Sequence, residues 1–196
     1  MNPKLTYFDA PGRAELTRLL FIFGGVAFED NRIAGPEFGA IKATLPLGQL
    51  PILEVDGVVY AQSMAIARYA AKVSGLYPAD AAQALAADMV SETIVDLLNV
   101  VIDFKFKTSD ETLKAEKSAK FLAEGLPKGL AALEGLVKGT YFVGETATMA
   151  DVHLFDFVHN AIKPSFPEFA MSAYPKVDAI VEAVKANAHI AAYLSK

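Results

Sequence analysis

The chain has 196 residues, which is enough for one large domain or two small ones with a sizeable buried core. With 53% hydrophobic and 21% charged residues, its composition is typical of a compact globular protein and disfavours intrinsic disorder. The net charge of −5 disfavours a nucleic-acid partner, because nucleic-acid-binding proteins carry a basic face. Cysteine is absent, which excludes disulfides, thiolate metal sites and a cysteine nucleophile.

The N-terminal residues lack the apolar region of a signal peptide, and charged residues follow within a few positions. No apolar run reaches the roughly 18 residues of a membrane span. We therefore expect a cytoplasmic protein that has no membrane partner.

Strand and helix signals alternate in the first third of the chain. Residues 4–8 form a short apolar stretch that predicts a buried strand, and residues 26–33 can form a second strand. Between them, residues 13–23 predict a helix, because Leu16, Leu19, Leu20 and Phe23 recur at helical spacing. Gly24 and Gly25 follow this helix as its stop signal.

A hairpin signal spans residues 51–60, where two apolar runs flank Asp56-Gly57, the pair that favours a type I′ turn. Ser63 is then predicted as the N-cap of a helix that ends before Gly75. The residues alone thus give the order β-α-β-loop-β-β-α, an α/β unit with a mixed sheet.

Residues 74–80 contain Gly, Pro and polar residues and predict a linker between two domains, residues 1–75 and 82–196. The second domain shows no strand alternation and is predicted to be all-helical, with Pro127 and Gly129 breaking one helical stretch. Its predicted helices cover residues 82–106, 113–126, 130–137, 149–162 and 177–185.

Tyr7 and Arg13 are the first candidate site residues. Each is an ordinary structural residue when taken alone, but a strand end, a tight turn and a helix start bring them close together. Pro51 opens a strand, so it is either a plain trans edge proline or a cis proline that leaves the backbone of Leu50 free for an extended ligand.

Two further candidates lie at predicted helix starts. Gln62 and Ser63 either form an ordinary cap or hold a carboxylate at the positive end of the helix dipole. Thr148 and Asp151 match a capping box. The alternative, metal ligation by Asp151, His153 and Asp156, is disfavoured because the spacing matches no common metal motif. His153 and His159 are expected at a pocket wall or at the surface.

Four segments together resemble the cytosolic glutathione transferases, and most closely their sigma class: KLTYFDAPGRAELTRLLF, EFGAIKATLPLGQLPILEVDG, AQSMAIARYAAK and TATMADVHLFDF. The resemblance covers nearly the whole chain and is strongest over residues 4–75. It implies the glutathione transferase fold: a thioredoxin-like α/β N-terminal domain (β-α-β-α-β-β-α), an all-α C-terminal domain and a homodimer. It also implies glutathione as co-substrate and no metal.

The resemblance implies a role for each matching position in the N-terminal domain. Tyr7 would bind the glutathione sulfur, and Arg13 would support it. Phe38, Lys42 and Gln49 would face the glycine end of the tripeptide. Leu50, before an implied cis-Pro51, would pair with the cysteinyl backbone, and Gln62 and Ser63 would take the γ-glutamyl carboxylate.

In the second domain, Asp96 would reach the γ-glutamyl ammonium group bound by the other subunit. At position 38 the sigma pattern usually has tryptophan, and Phe38 lacks the indole N–H donor, so Lys42 would hold the glycyl carboxylate largely alone. The residues expected to line a pocket for the hydrophobic electrophile are Phe8, Ala10, Gly12, Leu98, Asp103, His153 and Phe157.

The resemblance also answers how a chain without cysteine could perform thiol chemistry, since the thiol would arrive with the substrate. A donor hydroxyl from Tyr7 would favour the thiolate, which is the nucleophile. The expected activity is therefore conjugation of glutathione to electrophiles in detoxification. The alternatives are a glutathione-dependent prostaglandin isomerase, disfavoured by the lack of tryptophan, and a non-catalytic crystallin-like or ligand-binding protein.

Overall fold

The computed structural model describes residues 2–195, and their contacts divide the chain into two compact units. One unit comprises residues 2–77 together with residues 187–195, and the other comprises residues 78–186. The boundary after residue 77 lies within the predicted linker. The predicted second domain, however, extended to residue 196, whereas residues 187–195 group with the first unit.

The first unit is built on a four-stranded mixed sheet with the strand order β2-β1-β3-β4. β1 (Lys4–Phe8) pairs in parallel with β2 (Glu29–Ile33) and antiparallel with β3 (Ile52–Val55), which pairs antiparallel with β4 (Val58–Ala61). Between β3 and β4, Asp56 and Gly57 have φ values of 50° and 79°. Positive φ at both central residues is the signature of the predicted type I′ turn.

Three helices follow the strands of this unit. α1 (Glu15–Phe23) is preceded by a 3₁₀ turn, Gly12–Ala14, and α2 (Gly35–Ile41) occupies the stretch that the residues alone left as a loop. α3 (Ser63–Val73) begins at Ser63 itself, so Gln62 is the N-cap position and the predicted cap at Ser63 is wrong by one residue. Apolar residues of β1, β3, α1 and α3 form the core; they include Leu5, Leu53, Leu19, Leu20 and Ile66.

The regular elements of the second unit are all helices in its described part, as predicted, and one isolated β-bridge joins Tyr141 and Gly144 in a loop. Its helices are α4 (Ala81–Ile102), α5 (Glu111–Lys120), α6 (Leu126–Leu136), α7 (Met149–Asp156) and α8 (Pro175–Lys185). α4, α5 and α7 each continue into a π-helical turn, at Asp103–Lys107, Phe121–Gly125 and Phe157–Ile162. Within residues 2–195, no helix is both long and apolar enough to cross a membrane.

The predicted break at Pro127 and Gly129 is wrong, because α5, its π turn and α6 run on without interruption. Pro127 lies in the first turn of α6, directly after the π turn, where a missing N–H is tolerated. Gly129 permits close helix packing instead of ending a helix. A Cβ at this position would lie 2.6 Å from Cδ2 of Leu97 on α4.

The last helix, α9 (Ala188–Leu194), was absent from the predicted elements. Asn187 caps it, because its side-chain oxygen accepts hydrogen bonds from the amides of His189 at 3.0 Å and Ile190 at 3.3 Å. Ile190 is fully buried, and α9 packs against α1. These contacts bring the end of the chain onto the N-terminal unit.

Candidate functional site

The candidate site in the first unit lies at one end of the sheet. Thr6 pairs with Ile52, and Ile52 pairs with Ala61, so these three residues form one row across β1, β3 and β4. The next residues beyond this row are Tyr7, Pro51 and Gln62. Three neighbouring strands therefore bring their predicted site residues to the same end of the sheet.

Tyr7 is half-buried at the end of β1, and its hydroxyl is held by the following turn. The Arg13 amide donates a hydrogen bond to the Tyr7 oxygen at 3.3 Å. Gly12 lies beside this hydroxyl with a φ of +46°, and a Cβ there would lie 2.6 Å from the Tyr7 oxygen. Gly12, predicted as a pocket wall, therefore also leaves room for the Tyr7 side chain.

Arg18, a buried arginine that the sequence did not indicate as a site residue, contacts the same turn. The Arg18 side chain is fully buried and pairs with Glu15 at 3.0 Å and Asp30 at 2.9 Å. It also donates to three carbonyls of the β1–α1 segment: Ala10 at 2.8 Å, and Phe8 and Pro11 both at 3.4 Å. The helical pattern of the sequence does not indicate this role. An arginine in a helix is ordinarily a surface residue, and the partners of Arg18 are visible only in the folded structure.

A second group of predicted residues lies beside Tyr7. The Phe8 ring is 5.3 Å from the Tyr7 ring and 5.4 Å from the Phe38 ring, both in edge contacts. The Lys42 ammonium lies 5.9 Å from the Phe38 ring centroid, within cation–π range. A Cβ on Gly48, the residue before Gln49, would lie 3.6 Å from the carbonyl oxygen of Lys42. The residues predicted for the glycine end of glutathione are thus neighbours.

The Leu50–Pro51 peptide bond is cis, as the resemblance implied. Gln62 has a φ of 76°, in the left-handed region that non-glycine residues rarely adopt. Such a conformation costs on the order of 1–3 kcal/mol and is concentrated at functional sites. Gln62 is exposed and Ser63 half-exposed at the N-terminus of α3, where the helix dipole favours an anion.

The remaining predicted residues belong to the second unit. Asp96 is exposed and Leu98 half-buried on α4, and Asp103 begins the π turn that follows α4. The Asp103 carboxylate pairs with Lys117 at 2.6 Å, and Lys117 also donates to the Thr108 hydroxyl at 3.1 Å. Asp103 therefore forms an ion pair with Lys117, which its position in the sequence did not indicate.

His153 and Phe157 are more deeply buried than the predicted pocket wall implies. Their exposed fractions are 3% and 2%, so they offer almost no surface to a small molecule. His159 is half-buried and stacks on Phe155 with ring centroids 5.2 Å apart. Phe8, Ala10 and Gly12 in the first unit, and Leu98 and Asp103 in the second, retain exposed surface, and their role as the pocket wall stays a prediction.

Asp151 takes part in the predicted capping arrangement at the start of α7. Its carboxylate accepts hydrogen bonds from the Thr148 amide at 2.7 Å, the Thr148 hydroxyl at 2.8 Å and the Phe142 amide at 2.9 Å. Burial raises the pKa of Asp151, while these hydrogen bonds act in the opposite direction. Across residues 2–195, no group of three or more His, Asp or Glu side chains is placed to hold a metal ion.

Comparison with known proteins matches both units to one family. Residues 3–72 match the model of the glutathione S-transferase N-terminal domain, and residues 95–196 match that of the C-terminal domain. The chain is 36% identical over 196 residues to a Gallus gallus hematopoietic prostaglandin D synthase, covering 100% of this chain and 96% of the relative. It is 35% identical over 198 residues to Drosophila melanogaster glutathione S-transferase S1, covering 98% and 77%.

A solved structure agrees with these sequence matches. The structure of rat hematopoietic prostaglandin D synthase complexed with a quinoline has a TM-score of 0.90 and 30% identity, and the match covers 100% of this chain and 96% of that one. Both domains, their order and the mixed sheet of the first unit fit the same fold. The chain therefore belongs to the glutathione S-transferase family.

Proposed function

We propose that this protein activates the thiol of glutathione at Tyr7 and conjugates it to electrophilic small molecules. The observation that carries this proposal is the set of residues at one end of the sheet: Tyr7, Pro51 and Gln62 lie beyond a single paired row. Glutathione is an extended tripeptide with a thiol in the middle and a carboxylate at each end. This end of the sheet has the Tyr7 hydroxyl between two regions suited to anions, one near Lys42 and one at the N-terminus of α3.

Tyr7 is suited to stabilise a thiolate. Its oxygen already accepts a hydrogen bond from the Arg13 amide, which leaves the hydroxyl proton to be donated to the glutathione sulfur. A hydrogen bond donated to the charged form lowers the pKa of that thiol. The free thiol has a pKa near 8.5, so the first unit of decrease gives about eightfold more thiolate at neutral pH.

The two ends of the tripeptide have separate candidate partners. Lys42 is exposed beside Phe38 and would pair with the glycyl carboxylate. Gln62 and Ser63 would receive the γ-glutamyl carboxylate at the N-terminus of α3. The backbone of Leu50 would pair with the cysteinyl residue of glutathione.

We further propose a sigma-class homodimer in which Asp96 reaches the γ-glutamyl ammonium group in the partner's site. One face of α4 carries exposed apolar side chains: Leu85 is 72% exposed, Met89 49% and Val100 43%. At 100° per residue, these three positions and Asp96 lie within about 60° around the helix. Asp96 therefore lies within an apolar stripe that a second copy of this chain could cover.

The experiment that tests the proposed activity is turnover of glutathione with a panel of electrophiles. The panel contains an aryl halide, an isothiocyanate and a lipid aldehyde, and loss of the free thiol is followed against a reaction without protein. Turnover of at least one electrophile supports the enzyme. Glutathione binding without turnover of any of them would instead favour the non-catalytic binding protein.

A glutathione-dependent prostaglandin isomerase is the second candidate. The similarity to proteins named hematopoietic prostaglandin D synthase favours it. The lack of tryptophan disfavours it, because the corresponding isomerase pocket is expected to hold one near position 103, where this chain has an Asp103 paired with Lys117. Incubation of the protein and glutathione with a prostaglandin endoperoxide, followed by product analysis, discriminates the two.

A further inference from the structure

Five side chains of the first unit form a closed circuit of polar contacts, here called the α9 cluster: Glu15, Arg18, Asp30, Arg32 and Tyr193. The Tyr193 hydroxyl donates to Glu15 at 2.8 Å, and Glu15 pairs with Arg18 at 3.0 Å. Arg18 pairs with Asp30 at 2.9 Å, and Asp30 pairs with Arg32 at 2.8 Å. Arg32 donates to the Tyr193 oxygen at 3.4 Å, which closes the circuit.

Charge balance explains how Glu15 and Arg18 can be buried in this cluster. It holds two cations and two carboxylates, so the fully buried Arg18 and the 4%-exposed Glu15 are compensated by direct partners. Burial and the nearby Glu15 raise the pKa of Tyr193 to about 12. The hydroxyl therefore keeps its proton at neutral pH and can act as a donor to Glu15.

The cluster touches the candidate site through Arg18. Its guanidinium donates to the carbonyls of Phe8, Ala10 and Pro11, which frame the turn between Tyr7 and Arg13. The guanidinium carbon also lies 6.0 Å from the centroid of the Tyr7 ring. Arg32 adds a contact to Asp9 of the same segment at 2.9 Å. A change in the orientation of Arg18 would therefore shift the turn that holds the Tyr7 hydroxyl.

Tyr193 is the member of the α9 cluster that comes from the end of the chain. Its partner Glu15 lies 178 positions away, at the start of α1. Loss of the Tyr193 hydroxyl would leave one oxygen of a buried carboxylate without this donor, which would weaken the constraint on Glu15 and, through their ion pair, on Arg18.

We propose that Tyr193 is a positioning residue for thiol activation: through Glu15 and Arg18 it fixes the turn that holds the Tyr7 hydroxyl against the glutathione sulfur. The thiol-activating step rests on the proposed function. Tyr193 itself touches neither substrate nor reacting atoms in this role. Docking of α9 would thus be a condition for full activity of the N-terminal site.

The test compares Tyr193→Phe with Tyr174→Phe. Both substitutions remove one hydroxyl, but the Tyr174 hydroxyl donates to the carbonyl of Pro127 at 3.3 Å, inside the second unit. Thiolate absorbance of the glutathione complex is measured against pH for both variants and for the unmodified protein. Amide hydrogen exchange of residues 5–15 is measured on the same proteins without glutathione.

We expect Tyr193→Phe to raise the midpoint pH of thiol ionisation by about half a unit, which is up to about threefold less thiolate at neutral pH. We also expect it to accelerate amide exchange in residues 5–15, while Tyr174→Phe changes neither quantity. Identical titration curves for the two variants would overturn the proposal. If the unmodified protein forms no thiolate at all, the proposed function fails, and equal exchange rates in the two variants would then overturn the positioning role independently.

Discussion

At the scale of single residues, the Tyr7 hydroxyl is the group on which the proposed chemistry depends. It is held by one amide hydrogen bond from Arg13 and is closely approached by Gly12, which has no side chain to displace it. The ring and the hydroxyl can be separated experimentally, because phenylalanine keeps the ring and its edge contact with Phe8.

Tyr7→Phe should fold normally and still bind glutathione, because the partners proposed for both carboxylates remain. The bound thiol should titrate at higher pH, and turnover at neutral pH should fall about tenfold or more, on the order of 1.4 kcal/mol. The measurement is thiolate absorbance of the complex against pH, and raising the pH should restore part of the turnover. Superimposable titration curves would rule out Tyr7 as the activating donor.

Phe38 offers a second test at this scale, because it lies beside Lys42 but has no donor of its own. Phe38→Trp should tighten glutathione binding by about 0.5–1.5 kcal/mol if the indole N–H reaches the glycyl carboxylate. Calorimetric titration measures the dissociation constant, and Phe38→Leu serves as a control that adds no donor. An unchanged constant in Phe38→Trp would place this residue outside the glutathione site.

At the scale of elements, the contribution of a polar side chain at a helix start to stability depends strongly on how deeply it is buried. Asp110 caps α5 at the surface and accepts one hydrogen bond, from the Leu113 amide at 2.8 Å. Asp151 at the start of α7 is fully buried and accepts three. Removal of a buried acceptor leaves donors that water does not reach, and each such donor is costly.

Asp151→Ala should therefore lower the free energy of unfolding by about 3–5 kcal/mol, because two amides and a hydroxyl lose their acceptor. The matched substitution Asp110→Ala removes an exposed cap and should cost only about 1 kcal/mol. Chemical denaturation of both variants measures the difference. Losses of equal size would show that the buried hydrogen bonds of Asp151 add nothing beyond ordinary capping.

The docking of α9 also predicts a pH dependence of stability. The pKa of Tyr193 is about 12 in the folded protein, where Glu15 and Arg32 are its charged neighbours, and about 10 for an unperturbed tyrosine. Between these values the folded state holds a proton that the unfolded state has lost, so its contribution to stability is complete below pH 10 and is lost as the pH rises towards 12. The slope of unfolding free energy against pH from 9 to 11.5 should be shallower in Tyr193→Phe than in Tyr174→Phe, and equal slopes would contradict this assignment.

At the scale of the whole molecule, the apolar stripe on α4 supports the proposed dimer. Leu85 and Leu113 are both exposed leucines on helices of the second unit, but only Leu85 lies on the stripe that contains Asp96. Substitution of each by glutamate introduces the same charge at the same kind of position. Comparison of the two variants therefore distinguishes a dimer interface at Leu85 from an ordinary exposed surface.

Leu85→Glu should convert a dimer into monomers and weaken glutathione binding, because Asp96 would no longer reach the partner's site. Leu113→Glu should leave both properties unchanged. Sedimentation velocity gives the oligomeric state, and a binding titration on the same samples gives the affinity. A Leu85→Glu variant with the same sedimentation coefficient as the unmodified protein would argue against this face as the interface.

The sequence by itself determined the features that depend on neighbouring residues. Asp56-Gly57 specifies its turn, because both positions need positive φ, and the spacing of Leu16, Leu19 and Leu20 specifies α1. Thr148 and Asp151 are three positions apart and define the start of α7. The order of motifs also indicated the fold, the family and a cis-Pro51, which the residues alone would have favoured as trans.

Only the tertiary structure decided the features whose partners are distant in the chain. Arg18 is buried because Asp30 and three carbonyls of the β1–α1 segment surround it, and no pattern within α1 indicates this. Gly129 ends no helix; it lies where Leu97 of another helix leaves no room for a side chain. Tyr193 acquires its proposed role from Glu15, 178 positions away. Local conformation follows from residues a few positions apart, whereas the burial of a charge is stable only when folding supplies its distant partners.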